Sequence, residues 1–242
     1  MKNHSKFLEK KMATILITGA NRGLGLEFCK QYAQENWAVI ACCREPEKAT
    51  ALTKLKTEFS NISVLPLDIS DLAQIDQLAK KLDGTAIDVL LNNAGIYGDE
   101  SGHGFGNLDY TQWQKNMTVN VFAPVKLTEV LLPNLEHGKL KKVVAMSSLM
   151  GSIEDNGSGG SILYRSSKTA LNSAMKSIAI DIYQKEIAVL ILHPGWVKTD
   201  MGGSNAPMEI SESVTKMRKT IADFTHQQSG KFLRYDGKIL PW

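Results

Sequence analysis

The sequence predicts the α/β class: a single doubly wound domain with a mostly parallel sheet of about seven strands. Three observations carry this. Short apolar, β-branched runs alternate along the chain with longer stretches of helical periodicity, as in parallel strands joined by right-handed helical crossovers. The strand-like runs lack polar alternation, as expected of strands buried on both faces. No linker divides the 242 residues, a length that one α/β domain can fill.

Ala13 to Thr18 is the first strand, and Gly19 ends it. Leu24, Phe28 and Tyr32, with Ala33 beside them, mark a helix over Leu24 to Asn36. Trp37 to Cys43 is a second strand. Pro46 suits a first helical turn and opens a helix to Phe59. Ile62 to Leu67 reads as strand, Asp71 to Leu82 as helix with Asp71 near its start, and Ile87 to Leu91 as strand. Asp109 to Leu135 reads as one long helix with a bend at Pro124. Lys142 to Met146 is strand, and Ser161 or Ser166 begins a helix towards Tyr183. Ile187 to Leu192 is strand, Glu209 to Thr225 the last helix, and Phe232 to Tyr235 a short terminal strand. The domain spans 13–242, and residues 1–12, with Lys2, Lys6, Lys10 and Lys11, read as a flexible solvated tail.

The composition excludes several classes. A net charge of +3, dispersed along the chain, gives no footprint for nucleic acid. No apolar run reaches membrane-spanning length, and the N-terminus lacks the apolar core of a signal peptide, so a cytoplasmic protein with no membrane partner is expected. Cys29, Cys42 and Cys43 are odd in number and have no metal-ligand spacing; they read as reduced, mostly buried thiols. The histidines show no metal spacing either, so no metal site is expected.

Thr18-Gly19-Ala20-Asn21-Arg22-Gly23-Leu24-Gly25 lies between the first strand and the first helix. Glycines there permit a tight turn and close approach to a pyrophosphate, which the helix N-terminus attracts with free N–H groups. This is a Rossmann-type strand–loop–helix unit, although its glycine spacing differs from the usual dinucleotide fingerprint. The loop resembles the T-G-x-x-x-G-x-G motif of the short-chain dehydrogenase/reductase family. The resemblance runs from Ala13 to the C-terminus. Asn92-Asn93-Ala94-Gly95 resembles the family's N-N-A-G, Tyr164-Arg165-Ser166-Ser167-Lys168 its Y-x-x-x-K, and Pro194-Gly195-Trp196-Val197-Lys198-Thr199 its P-G-x-x-x-T. Gly230 to Leu233 and Tyr235 to Trp242 look like the sniffer/C-factor branch of carbonyl reductases.

The second strand ends without the carboxylate that NAD-preferring sites use on the ribose 2′-OH. Arg44 stands there instead, and a guanidinium can grip a 2′-phosphate with two hydrogen bonds. Arg22 lies inside the glycine loop, where NADP-preferring members of the family carry a second basic residue. NADP(H) is therefore the expected cofactor. The resemblance further implies that Gly19, Asn21, Arg22, Gly23, Leu24, Gly25, Arg44, Asn92, Ala94 and Pro194 serve cofactor binding. It implies that Asp68 and Ile69 contact adenine, with Asp68 as a plain helix N-cap the alternative. It places Val197 and Thr199 at the nicotinamide carboxamide.

Tyr164 and Lys168 lie one helical turn apart and share a face. A phenol ordinarily ionises near pH ~10, and a nearby ammonium lowers that value towards the useful range. By resemblance Tyr164 is the proton donor and Lys168 also binds the nicotinamide ribose. Ser148, three residues before Gly151, matches the family serine that polarises the substrate carbonyl, with Ser147 as the alternative. Asn120 matches the asparagine that holds a proton-relay water; a plain hydrogen bond within the helix is the other reading. The interval from Ser148 to Tyr164 is longer than the family often has, and the extra length falls in the glycine-rich stretch at Gly157. The expected function is NADPH-dependent reduction of a ketone or aldehyde by a homodimer or homotetramer. The rival reading is an NADP(H)-binding signalling protein with little turnover.

Overall fold

A computed structural model of the chain describes residues 12–99 and 103–242. The basic residues of the expected tail lie outside the described residues. Seven strands form one sheet: β1 Thr14–Thr18, β2 Ala38–Cys43, β3 Ile62–Pro66, β4 Val89–Asn92, β5 Lys142–Met146, β6 Ala188–His193 and β7 Lys231–Arg234. Their order is β3-β2-β1-β4-β5-β6-β7, and every neighbouring pair is parallel. The helices are α1 Gly23–Gln34, α2 Thr50–Glu58, α3 Leu72–Lys81, α4 Tyr110–Met117, α5 Ala123–Val130, α6 Leu132–Glu136, α7 Ile162–Asp181 and α8 Ile210–Asp223.

The absence of polar alternation has the expected cause. In β1, Ile15 and Ile17 pack into a core with Phe28 of α1, Leu52 of α2 and Met217 of α8. Leu16, between them, faces a second core with Ile75 of α3, Leu127 of α5 and Leu171 of α7. Successive side chains of a strand point to opposite faces, so a helical layer on each face demands apolar residues at every position. The strand order reverses direction between β1 and β4, and a crevice opens there at the carboxyl ends of the strands.

Two expected helices are interrupted. Over 46–59, Pro46–Lys48 forms only a 3-10 turn and the α-helix begins at Thr50. The long helix over 109–135 is broken before the proline: a π-helical turn spans Thr118–Phe122 between α4 and α5, and α6 follows separately. Pro124 has no N–H to give the Asn120 carbonyl four residues earlier, so the ladder slips to the wider spacing. The proline's effect thus falls one turn upstream, on the segment that carries Asn120.

Candidate active site

The glycine loop is shaped by backbone requirements. Gly19 and Gly23 adopt φ of 66° and 54°, the left-handed region where a side chain is strained. Gly25 is needed for space, because a Cβ there would lie 2.1 Å from the Gly19 carbonyl oxygen. The loop is tied to the end of β4 through Asn93, whose Nδ2 donates to the Thr18 carbonyl at 2.8 Å. The N–H groups of Asn93 and Ala94 both donate to Thr18 Oγ1 at 3.1 Å. Among the described residues, no side chain caps the N-terminus of α1. Its first N–H groups and positive dipole end stand beside the crevice, the arrangement that receives a phosphate.

The crevice is a cavity of about 850 Å³ that runs from the glycine loop to Tyr164. Gly19, Asn21, Arg22, Gly23, Leu24 and Gly25 form one wall. Arg44, Asp68 and Ile69 line the end beyond β2 and β3, and Ala94, Tyr164 and Lys168 the end beyond β4. Pro194 and Thr199 close it from the β6 side. One continuous cavity thus carries a phosphate-receiving helix end, two arginines and a tyrosine–lysine pair. Its chemistry and shape fit a phosphorylated dinucleotide.

Charges at the far end are organised in a way the sequence did not disclose. Arg22 forms an ion pair with Asp200, whose backbone follows Thr199. Arg44 makes no ion pair among the described residues. Asp68 accepts from the Ser70 N–H at 2.9 Å and the Ser70 hydroxyl at 2.7 Å. Burial works to raise its pKa, but these bonds and the charges of Arg44 and Lys115 prevail and lower it. The helix-cap alternative for Asp68 does not hold. Asp71 caps α3 by accepting from the Ala73 N–H at 3.0 Å.

At the other end, Tyr164 and Lys168 face the cavity from α7, and the Lys168 ammonium lies 5.6 Å from the Tyr164 ring centroid. Ser148 lies close enough to the Tyr164 hydroxyl to lower its pKa. Ser147 also lines the cavity, but its hydroxyl donates to the buried side-chain Oδ1 of Asn172. Asn120 is fully buried. Its Oδ1 accepts from the Ile96 N–H, and its Nδ2 donates to the Ile96 carbonyl and to Ser167 Oγ, each at 2.9 Å. Both side-chain N–H groups of Asn120 are thus used within the protein, and Pro124 has no N–H to offer its backbone carbonyl.

The expected effect of Lys168 on Tyr164 is not what the protein's own groups produce. Lys168 Nζ donates to the Met146 carbonyl at 2.8 Å. Burial pushes the Tyr164 phenol up to about 12; Ser148 opposes this and Tyr97 adds to it. Burial likewise draws Lys168 down to about 8. Desolvation outweighs the attraction because both groups are buried and the ammonium is not hydrogen-bonded to the phenol.

Four expected residues do not line the cavity: Asn92, Asn120, Ser148 and Val197. Asn92 is the buried last residue of β4, with its Nδ2 3.5 Å from Thr128 Oγ1. Val197 is buried and bridges to Met208. Asn120 and Ser148 are buried beside the cavity, next to Ile96 and Tyr164, which line it. Cys29, Cys42 and Cys43 are buried free thiols. Ser161 precedes α7 but does not cap it with its side chain; Asp99 does so from the segment after β4. Sequence reasoning missed Tyr97, Asp99 and Asp200. None carries a local signal, since each acts on a residue far away in the chain.

Comparison with known proteins places this geometry. The family described as short chain dehydrogenase matches residues 13–210. The C-signal protein of Myxococcus xanthus is 39% identical over 64% of this chain and 93% of its own. A 1-hydroxy-2-glutathionyl-2-methyl-3-butene dehydrogenase from a Rhodococcus species is 30% identical over 96% of this chain and 100% of its own. Among solved structures, the carbonyl reductase Sniffer of D. melanogaster superposes with a TM-score of 0.89 at 37% identity, covering 96% of this chain and 100% of its own. An NADPH-bound carbonyl reductase from chicken fatty liver gives 0.88 at 32% identity, over 96% and 99%. No helix among the described residues is long and apolar enough to cross a membrane.

Proposed function

The chain belongs to the short-chain dehydrogenase/reductase family, and on that premise we propose that it reduces a ketone or aldehyde with NADPH. One observation carries the reading. A single cavity joins a glycine-loop phosphate cradle and Arg44 to the Tyr164–Lys168 pair, with Ser148 beside the phenol. The Drosophila and chicken carbonyl reductases support it, the latter crystallised with NADPH.

When bound, NADPH supplies a hydride to the carbonyl carbon. The first N–H groups of α1 hold its pyrophosphate, with Gly19, Asn21, Gly23, Leu24 and Gly25 allowing close approach. Arg44 and Arg22 hold the 2′-phosphate. Asp68 and Ile69 would flank the adenine, and Ala94, Pro194 and Thr199 the nicotinamide half, with Asn92 and Val197 buried outside the lining. Lys168 holds the nicotinamide ribose. Ser148 donates a hydrogen bond to the substrate oxygen as negative charge builds there. Tyr164 then gives that oxygen its proton. A phenol raised by burial is a sound acid, because it keeps its proton until the alkoxide forms. Asn120 supports proton resupply through its backbone carbonyl.

The test is NADPH oxidation with para-nitrobenzaldehyde, acetophenone and diacetyl, followed at the nicotinamide absorbance. Turnover of any of them supports the reading. The similarity to C-signal favours a second one, NADP(H) sensing with little turnover; it predicts tight NADPH binding with no reduction across the panel.

Cofactor preference follows from Arg44. NADPH binds more tightly than NADH in fluorescence titrations, and Arg44→Asp abolishes or reverses the preference. A charged bidentate contact of this kind contributes about 1.5–3 kcal/mol, or roughly ten- to a hundredfold in affinity. Equal affinities in the unaltered protein would defeat this assignment.

A homodimer or homotetramer is proposed to form through the helices that carry Asn120 and Tyr164, as in many members of the family. Phe122 of the π turn and Ile180 of α7 are exposed there by 50% and 64%, apolar surface that a partner copy would cover. Light scattering after size exclusion should give at least twice the 26.6 kDa chain mass; a monomer at micromolar concentration would refute it.

A further inference from the structure

Tyr164 is the third residue of α7, inside the first helical turn. The first N–H groups of a helix have no partner within it, and an uncapped first turn frays. Ser161, at the capping position, cannot help. Its backbone is left-handed, with φ and ψ of 45°, whereas a capping residue is normally extended. Its hydroxyl is also engaged by the Tyr97 phenol at 2.6 Å. The cap comes from elsewhere. Asp99, 65 residues before Tyr164 in the chain, accepts the Tyr164 N–H on Oδ2 at 2.8 Å. Its Oδ1 accepts the Leu163 N–H at 3.2 Å.

The segment that delivers this carboxylate is itself anchored. Asn120 holds both the N–H and the carbonyl of Ile96. Asn116 Nδ2 donates to the Tyr97 carbonyl at 2.7 Å. Both asparagines are fully buried. The Tyr97 ring packs against the Tyr164 ring with centroids 5.0 Å apart. A continuous chain of contacts thus runs from the Asn120 turn through residues 96–99 to the backbone and ring of Tyr164.

We infer that Asp99 is a positioning residue for the reaction: its carboxylate clamps the first turn of α7 and so fixes where the Tyr164 hydroxyl sits. The phenol oxygen is at the far end of a long side chain, so a small tilt of the turn is magnified there. Lys168, one turn further along, is held by the helix and by Met146, and does not depend on the cap. The cofactor cradle on α1 does not depend on it either. Loss of Asp99 therefore impairs proton donation while NADPH binding persists. This inference rests on the reading of Tyr164 as proton donor.

The experiment compares Asp99→Ala, Asp99→Ser and Asp99→Asn in the full chain. Single-turnover NADPH oxidation is measured with the fastest carbonyl of the panel, alongside NADPH affinity and thermal midpoint. Asp99→Ala slows the single-turnover rate on the order of ten- to a hundredfold, since misplacement by about 1 Å can cost about a hundredfold. NADPH affinity stays within about twofold. Asp99→Asn, which keeps one acceptor oxygen at the same reach for the Tyr164 N–H, recovers part of the rate. Asp99→Ser, too short to reach, does not, and it stands in should the alanine variant fail to fold. An unchanged rate in the loss variants overturns the inference. So does a parallel loss of rate, NADPH affinity and thermal midpoint without recovery by asparagine, which marks a structural role only. Tyr164→Phe is run in parallel: a variant that keeps turnover refutes the proton-donor reading itself, whereas loss there with no effect at Asp99 refutes only the positioning role.

Discussion

Replacing Tyr164 with phenylalanine should lower carbonyl reduction by about 10²–10⁴-fold, the usual contribution of a positioned general acid. The ring stays, so its packing against Tyr97 and the fold of α7 persist, and NADPH affinity changes little. Ser148 loses the phenolic oxygen beside it but keeps the Met150 N–H as a donor to its oxygen at 3.2 Å. Ser148→Ala should in turn cost about 10²–10³-fold, in line with the loss of one donor to a developing oxyanion. Ser147→Ala should leave the single-turnover rate nearly unchanged, because that hydroxyl is committed to Asn172. The measurement is single-turnover rate with NADPH affinity determined in parallel. Near-normal turnover in Tyr164→Phe would show that the proton comes from another group.

Lys168→Met should have two effects of opposite sign. Turnover and NADPH binding both fall, because the ammonium proposed to hold the nicotinamide ribose is gone. Conformational stability near neutral pH rises. Lys168 is buried, and its pKa drops from 10.5 in the unfolded chain to about 8 in the fold. Below pH 8 both states hold the proton, and the fold bears the full penalty of burying the charge. Between about 8 and 10.5 the unfolded chain binds more protons than the folded one, so this group's contribution to stability rises with pH. Methionine fills similar volume without a charge. It removes a penalty on the order of 2–3 kcal/mol, less the hydrogen bond lost at the Met146 carbonyl. Urea unfolding should therefore find the variant more stable at neutral pH and the difference shrinking towards pH 10. A variant equally stable or weaker at neutral pH would mean that the ammonium is well solvated in the fold. A residue that destabilises its own fold is characteristic of a site shaped for function.

These two residues show where sequence and structure divide the information. The spacing of Tyr164 and Lys168 put them on one helical face, because the helical repeat is local and fixed. The direction in which the phenol's pKa moves is not local. It depends on burial by segments from across the chain, and desolvation reverses the sense expected from the ammonium alone.

The strand–helix alternation, the glycine loop and the doubly wound class were legible in the sequence, because apolar runs, periodicity and glycines report backbone requirements at the residues that bear them. Gly25 could have been recognised only as a glycine; the Gly19 carbonyl 2.1 Å from its missing Cβ is a tertiary fact. Pro124 signalled a bend, but the slip fell on 118–122, because a proline deprives the carbonyl one turn before it. The spacing to Gly151 selected Ser148 but left Ser147 as an alternative. Neighbouring residues at a strand end point to opposite sides, and only the packing of α7 decides which one meets Tyr164. Asp99 on the first turn of α7 and Asp200 on Arg22 were invisible for the same reason. A carboxylate is attracted to any cation or helix start it can reach, and reach across the chain is set by the tertiary fold.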